Sequence, residues 1–485
     1  IVLFTFIILT YLVTRLVNLS RFPVFGDEGI YIHWAKTAWH DASWRFVSLT
    51  DGKQPLQTWG TIPLLKLFPN NALLAGRLFS VGTGLAALLG MFVLVYYLFG
   101  KKPALKAAFL FVVTPYFLFY DRMALVDSGV NAAFIWILFF SLLLVKTLRL
   151  DVALVFGLTA GFSLLAKSSV RVFVMLSLFA PITIFHHPWK PYLKKTLSYF
   201  FLFGVTLVIA LALYNIQRLS PFLHFVEEKN KTFIMTFAEF AKTPFAYAKG
   251  NFSIIPYYIL VEGGVLLIFF GIAGLYKLLK RDWRLGMYFL IWLTAPYLAI
   301  TFFSKVLYPR YLIFFASLLL VLSFYFQTGI KNKTLSLIVY ISMIVTVLYF
   351  DYAVIFDFKN TPLPAIDRGQ YIEGTTAGWG VKDIIDFARK KSAEKSVILV
   401  AEGDFGVVGD QLEVFVRQSD KILIRGVWPL EKKDLIANQK ELRSHYVYLV
   451  FSHRQEFPSD WPMKLVASFP KPGQQKAINL YELMP

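Results

Sequence analysis

Cysteine does not occur among the 485 residues, so disulfides, thiolate metal sites and cysteine nucleophiles are excluded. Charge is scarce as well: only 16% of the residues are Asp, Glu, Lys or Arg, and histidine occurs seven times. No repeat of roughly 20 to 50 residues recurs, which removes solenoid architectures. What fills the space is apolar. Hydrophobic residues make up 57% and aromatic residues 18% of the chain, and the mean hydropathy is positive. That profile is far from a soluble globular protein and describes an integral membrane protein. The formal charge of +19 would point to nucleic acid in a soluble domain. In a membrane protein it first reflects the Lys and Arg that collect in short cytoplasmic loops, so nucleic acid is not an expected partner.

A membrane span needs roughly 17 to 25 mostly apolar residues, and about eleven runs qualify. They lie near 1–19, 72–99, 103–120, 129–146, 152–167, 170–186, 197–217, 256–276, 285–303, 310–328 and 334–356. The first run begins at Ile1 and lacks the small-residue cleavage signature of a signal peptide, so it is expected to be a retained span. Alternation then assigns one set of loops, with Lys101, Lys102, Lys106, Lys146, Arg149, Lys190, Lys194, Lys195, Lys277, Lys280, Arg281, Arg284, Lys331 and Lys333, to the cytoplasm. The other loops are expected outside: 20–71, "YDRMALVD", "KSSVR", 218–256 and "SKVLYPR". The tail changes character, with a helical "VKDIIDFARKK" and β-rich runs "SVILVAEG", "KILIRGV", "HYVYLVFS" and "MKLVASF". The expected organisation is a multi-spanning α-helical domain over 1–357 and a small extracytoplasmic soluble α/β domain over 358–485.

The outer loop 20–71 carries most of the chemistry. "DEGIYIHWAKTAWHDASW" has helical spacing with Trp34, Trp39 and Trp44, followed by Trp59, and is expected to lie along the membrane surface. Asp27 opens this helix, where an acid is a favoured cap. Capping alone leaves Glu28, Lys53 and Arg77 unexplained, and ionisable groups against lipid are costly enough to mark a site. "FYDRMALVDSG" adds Asp121, Arg122 and Asp127, the last just ahead of a span. Both Asp27 and Asp127 are expected at helix starts, whose partial positive charge favours an anion. A carboxylate there is suited to accept a proton from a hydroxyl or to bind a cation. Basic residues that break the positive-inside pattern, Lys53, Arg77, Arg122, Lys167, Arg171, Lys305 and Arg310, suit an anionic group on a membrane-borne ligand. The expected site is therefore an outward cavity with a phosphate half and a carboxylate half. A transporter or lipid flippase is the alternative. It would place its charges near mid-bilayer between two repeated halves, whereas here the charges cluster at one face.

In order along the chain, "FGDEGIYIHWAK", "DGKQPLQTW", "AGRLFSVGTG", "TPYFLFYDRMALVDS", "GLTAGFSLLAKSS" and "LYPRYLIF" resemble the motif series of polyprenyl-phosphate-dependent membrane glycosyltransferases. These are GT-C fold enzymes akin to protein O-mannosyltransferases and the bacterial transferases that place aminoarabinose on lipid A. The resemblance spans roughly residues 1–326 and leaves the tail without assigned chemistry. It implies inverting transfer of a hexose or pentose from a polyprenyl-phosphate sugar to a hydroxyl of a lipid, glycan or protein. Transfer would occur at the outer face of a cell membrane, and the missing disulfides and short loops favour a prokaryotic one. It implies Asp27, with Glu28 beside it, and Asp127 as catalytic carboxylates. It implies Lys53, Lys167, Arg310 and Tyr311 around the donor phosphate, where the charge pattern adds Arg77 and Arg122, although the lysine motif reads Lys-Gln-Pro rather than Lys-Pro-Pro. Metal-binding relatives carry a Glu-His pair where this chain has "VEEKNKTF", so lysine replaces the histidine. Glu28, His224 and Glu228 remain the candidate ligands for a hard divalent cation such as Mg²⁺, and the metal stays open.

Overall fold

Helices that are apolar on every side have no face for water, so they pack inside a bundle or meet lipid. The computed structural model describes residues 2–403, 406–473 and 475–485, and residues 2–356 are almost entirely helical. Six helical stretches are long and apolar enough to cross a membrane: Ala72–Phe99, Asp127–Thr147, Trp189–Leu219, Trp283–Phe303, Pro309–Thr328 and Lys333–Phe356. Two pairs qualify only as bent units, Lys101–Val113 with Pro115–Asp121 at 60° and Ala248–Gly263 with Val265–Arg281 at 114°. Val2–Leu16, Leu150–Leu164 and Val170–Ile184 are apolar but shorter. Each expected run falls on one of these elements. Among the described residues six pass as full spans by length and composition, or eight if each bent pair crosses once, beside the three shorter apolar helices. Hydropathy does not register the two breaks. At one, Pro115 opens a new helix after the extended Thr114. At the other, Gly264 takes φ +91°, a conformation that costs glycine little and other residues much. The chain is a multi-pass membrane protein.

Asp127–Thr147 and Pro309–Thr328 are the enclosed spans, each with 78% of its apolar window buried, against 28% for Trp189–Leu219. They form the centre of the bundle, and the Ser317 hydroxyl donates to Asn131 Oδ1 across them at 2.7 Å. Phe134, Phe173, Trp292 and Phe314 pack edge to face around that centre. Both central spans start at the same end of the bundle, one at Asp127 and the other beside Arg310.

The C-terminal region builds a five-stranded sheet. Val397–Glu402 runs parallel to Ile422–Val427 on one side and to Tyr446–Phe451 on the other. Ala477–Leu483 then pairs antiparallel with Tyr446–Phe451 and with the edge strand Met463–Pro470. Val397–Glu402 is buried along its whole length, as expected of an apolar run flanked by parallel neighbours. Four strands coincide with the β-rich runs of the sequence, and "AINLYEL" supplies a fifth that the pattern did not single out.

This region does not hang free. Val24–Phe25 pairs antiparallel with Ala377–Gly378, and the Gln411 amide donates to the carbonyls of Val24 and Thr376. The tail helix Val408–Glu413 lies on the helix Gly26–His40. A Cβ at Gly29 would stand 3.0 Å from the Gln411 nitrogen, so glycine permits the close approach. Lys36 reaches the carbonyls of Glu413 and Val416 at the C-terminal end of that tail helix, where a cation is favoured. His33 pairs with Asp410 at 2.6 Å. Ile30, Ile32, Trp34 and Ala35 of this helix are buried, because it lies between the tail, which meets it at Gly29, and the bundle, where Ile32 packs at Gly76.

Candidate active site

Successive residues on a helix diverge by about 100°, and Asp27 and Glu28 use that divergence. Glu28 turns inward. Its carboxylate takes a two-pronged pair from Arg77, Nε to Oε1 at 2.8 Å and Nη2 to Oε2 at 2.7 Å. It also accepts the backbone N–H groups of Phe25 and Ala124. Arg77 spends its remaining donors on the carbonyls of Leu19, Phe22 and Pro23. Both side chains are fully buried. The pair fixes the start of the Asp27 helix to the span Ala72–Phe99 and to the loop at Ala124.

Asp27 turns the other way, into a half-open cluster of ions. Arg310 Nη2 stands 2.9 Å from Oδ2 and Lys53 Nζ 3.4 Å from Oδ1. Burial opposes ionisation of Asp27, but Lys53, Arg310 and Lys167 outweigh it and hold its carboxyl down at about 2. Lys53 is seated above the rings of Tyr31 and Trp34 and touches Asp51, which in turn pairs with Lys229 at 2.6 Å. Alongside, Lys167 pairs with Asp127 at 2.9 Å and sits 4.0 Å above the ring of Tyr311. Arg310 lies among the rings of Phe25, Tyr308 and Tyr311 and donates to the Tyr371 hydroxyl at 3.2 Å. Aromatic faces of this kind hold cations in place without neutralising them. Gln54 and Asn230 both donate to the Ser168 hydroxyl, which ties the three surrounding loops together.

Beneath Arg310 lies a second acidic pair. The Tyr120 hydroxyl donates to Asp367 at 2.5 Å and stands 3.4 Å from Glu262, with both carboxyls buried. Burial pushes the Asp367 carboxyl up from the usual carboxylate range, against the pull of Tyr120 and Arg310.

The architecture matches solved membrane transferases. ArnT from Cupriavidus metallidurans bound to undecaprenyl phosphate superposes with a TM-score of 0.66 at 13% identity, over 99% of this chain and 97% of that one. The fold is that of the GT-C glycosyltransferases. The oligosaccharyltransferase of Archaeoglobus fulgidus, in complex with Zn and sulfate, superposes with a TM-score of 0.52 at 15% identity, over 92% of this chain and 67% of that one. The family model for dolichyl-phosphate-mannose-protein mannosyltransferase matches residues 53–215. No curated protein sequence matches the chain.

In this GT-C bundle the structure brings together Asp27, Lys53, Asp127, Lys167, Arg310 and Tyr311, from five separate stretches of sequence. It takes Arg77 out of the expected phosphate half and Glu28 out of the expected carboxylate half, because each already saturates the other in a dry interior. Arg122 is also elsewhere: it donates to the carbonyls of Thr14 and Arg15 at the end of the helix Val2–Leu16. His224 binds the Pro221 carbonyl at an exposed position, and Glu228 is exposed. Among the described residues no three metal-ligating side chains converge. The site carboxylates face ammonium and guanidinium groups, so this donor set does not fit a resident metal. Asp51, Tyr371, Glu262 and Asp367 were not legible as neighbours of the site. Asp51 had a local signal, two positions before Lys53. Tyr371 and Asp367 lie in a stretch that reads as polar turns and reach the site only because the tail folds back.

Proposed function

We propose that the protein is an inverting glycosyltransferase that moves a sugar from a polyprenyl-phosphate carrier to an acceptor hydroxyl at the outer face of a cell membrane. The observation that carries this reading is one carboxylate, Asp27, held between Lys53 and Arg310 at the mouth of the bundle, with Lys167 and Tyr311 alongside. Three cations in a half-buried pocket are enough to receive a lipid phosphate, and Asp27 is the group left to meet a hydroxyl. The charges sit at one end of the central spans rather than midway along them, which favours chemistry at a surface over transport through the bundle.

The arrangement links donor binding to the basicity of Asp27. With Lys53 and Arg310 pressed against it, a carboxyl at about 2 is a weak base. A donor phosphate draws those cations to its own oxygens, and the Asp27 pKa rises as they leave. The acceptor hydroxyl then hydrogen-bonds to Asp27, and its oxygen attacks the anomeric carbon from the side opposite the phosphate. The new carbon–oxygen bond forms as the bond to the phosphate oxygen breaks, the electron pair goes to the phosphate, and the hydroxyl proton goes to Asp27. Lys53, Arg310 and Lys167 meet the charge that grows on the leaving phosphate, so they stabilise the transition state more than the ground state. Asp127 positions Lys167 through their ion pair.

Purified protein incubated with a radiolabelled polyprenyl-phosphate sugar tests the proposal. Release of free lipid phosphate together with label on an acceptor or on water is the expected result, and it vanishes in Asp27→Asn. A wild-type rate in that variant would remove Asp27 from the chemistry. Intact donor after prolonged incubation with the native protein in a lipid bilayer would remove the enzyme reading.

A further inference from the structure

The end of the bundle opposite Asp27 contains a cavity of about 130 Å³, with cationic and amide side chains in a largely apolar lining, that the proposed transfer does not use. The span Ala72–Phe99 starts near Arg77 and runs for 28 residues, about 42 Å, before the chain turns into Lys101–Val113. The span that follows Arg310 likewise ends at Gln327 and Thr328. The start of Lys101–Val113, with Lys102 and Lys106, the end of the span after Arg310, with Phe324, Gln327 and Thr328, and the start of the helix Lys333–Val345, with Ser336, line the cavity.

Three properties set this cavity apart from ordinary positive-inside anchoring. First, Gln327 is only 5% exposed and its Oε1 has no hydrogen-bond partner. Its amide nitrogen meets only the weak acceptor Sδ of Met343, at 3.5 Å. An unpaired buried carbonyl is costly unless a donor arrives. Second, Lys102 and Lys106 have no carboxylate partner among the described residues, and Lys106 rests on the Tyr340 ring at 5.2 Å. Third, the adjoining helix Lys333–Val345 presents Leu335, Leu337, Ile338 and Ile341 outward, each about half exposed. Cations, a buried acceptor and an apolar wall lie within one cavity and its rim.

We propose that this cavity binds an anionic phospholipid whose headgroup bears a hydroxyl, such as a glycerol headgroup. The phosphodiester oxygens meet Lys102 and Lys106, the headgroup hydroxyl donates to Gln327 Oε1, and the acyl chains run along the apolar face of Lys333–Val345. Basic pockets between spans on the cytoplasmic side select lipid headgroups by this combination of charge and hydrogen bonding.

The test is native mass spectrometry of delipidated protein in detergent, titrated with phosphatidylglycerol, phosphatidic acid, phosphatidylcholine or inorganic phosphate. The expected result is one retained phosphatidylglycerol, bound at least tenfold tighter than phosphatidylcholine. A Lys102→Gln, Lys106→Gln double variant should lose that tenfold. Gln327→Met should lose the wild-type preference for phosphatidylglycerol over phosphatidic acid while keeping its affinity for phosphatidic acid. Both lysines reach the surface, so the double variant should fold, and an unchanged melting temperature checks this. Equal retention of phosphatidylglycerol by wild type and double variant would overturn the site. Binding of inorganic phosphate as tightly as the lipid would overturn the lipid assignment, and an unchanged headgroup preference in Gln327→Met would overturn the role of the amide.

Discussion

Asp27 and Glu28 are neighbours in sequence, sit on one turn of one helix and each engage an arginine, yet they inhabit different physical settings. Glu28 and Arg77 are dry and saturated: every polar atom has a fixed protein partner, and nothing is left for a ligand. Asp27 and Arg310 are shared with Lys53, Tyr371 and the pocket mouth, and Asp27 is 27% exposed. A carboxylate–guanidinium pair is therefore not a functional signature by itself. What separates scaffold from site is whether the pair has capacity left over.

That contrast breaks most visibly at its closed half. Arg77→Met should destabilise the protein by about 3–5 kcal/mol, because it strands a buried carboxylate. The check is the melting temperature and the yield of folded protein in detergent. A stable variant that merely binds lipid phosphate less well would return Arg77 to the donor pocket. At the open half the sign reverses. Asp27→Asn should lower transfer roughly a hundredfold or more with a much smaller fall in melting temperature than Arg77→Met, and a rate measurement beside a thermal scan reads both. Lys53→Met should weaken lipid-phosphate binding about tenfold, the scale of one charge-assisted contact, as measured by displacement of a fluorescent polyprenyl phosphate. Breaking the tail contact with His33→Ala should cost about 0.5–1 kcal/mol or less, since this pair is partly open to solvent. A large fall in melting temperature there would give the tail a greater share in stability.

The smallest effect concerns pH. Asp27 has a folded-state pKa of about 2 against an ordinary 3.8, so the stability its ion pairs contribute is complete above the higher value. It is lost only as pH falls through the lower one. The difference in melting temperature between wild type and Asp27→Asn should therefore stay flat from roughly pH 5 to 8. Saturating lipid phosphate should move the acid limb of Asp27 upward. A limb that stays put would separate phosphate binding from control of its basicity.

Much of this was legible in the sequence, for identifiable reasons. Apolar runs report burial or lipid whatever their neighbours, so the helical stretches were found, while Gly264 and Pro115 broke two of them at places hydropathy averages over. Asp27, Lys53, Asp127, Lys167, Arg310 and Tyr311 stood out because they are polar where polarity is expensive. The same test also selected Glu28, Arg77 and Arg122, since a buried structural ion and a functional one violate hydropathy equally. Only the partner list distinguishes them, and partners 49 or more positions away, as for Arg77 and Glu28, are set by folding rather than by spacing. Tyr371 and Asp367 were invisible for the same reason. Their stretch has no pattern of its own and acquires a role where the tail returns to the first loop.

That return carries a consequence for how the protein is made. The Gln411 amide grips the Val24 carbonyl across 387 positions of chain, and Val24–Phe25 finds its strand partner only at Ala377–Gly378. Chains emerge N-terminus first at about 5–20 residues per second. The first loop therefore exists for on the order of twenty seconds or more at these rates before the segment that locks it has been synthesised and delivered to the same face. During that interval Asp27 lacks its tail clamp, and the protein is a bundle whose spans have formed but whose first loop is still unclamped. Catalytic competence, on this view, is acquired at the end of biogenesis, and a truncated or stalled chain would insert into the membrane without becoming active.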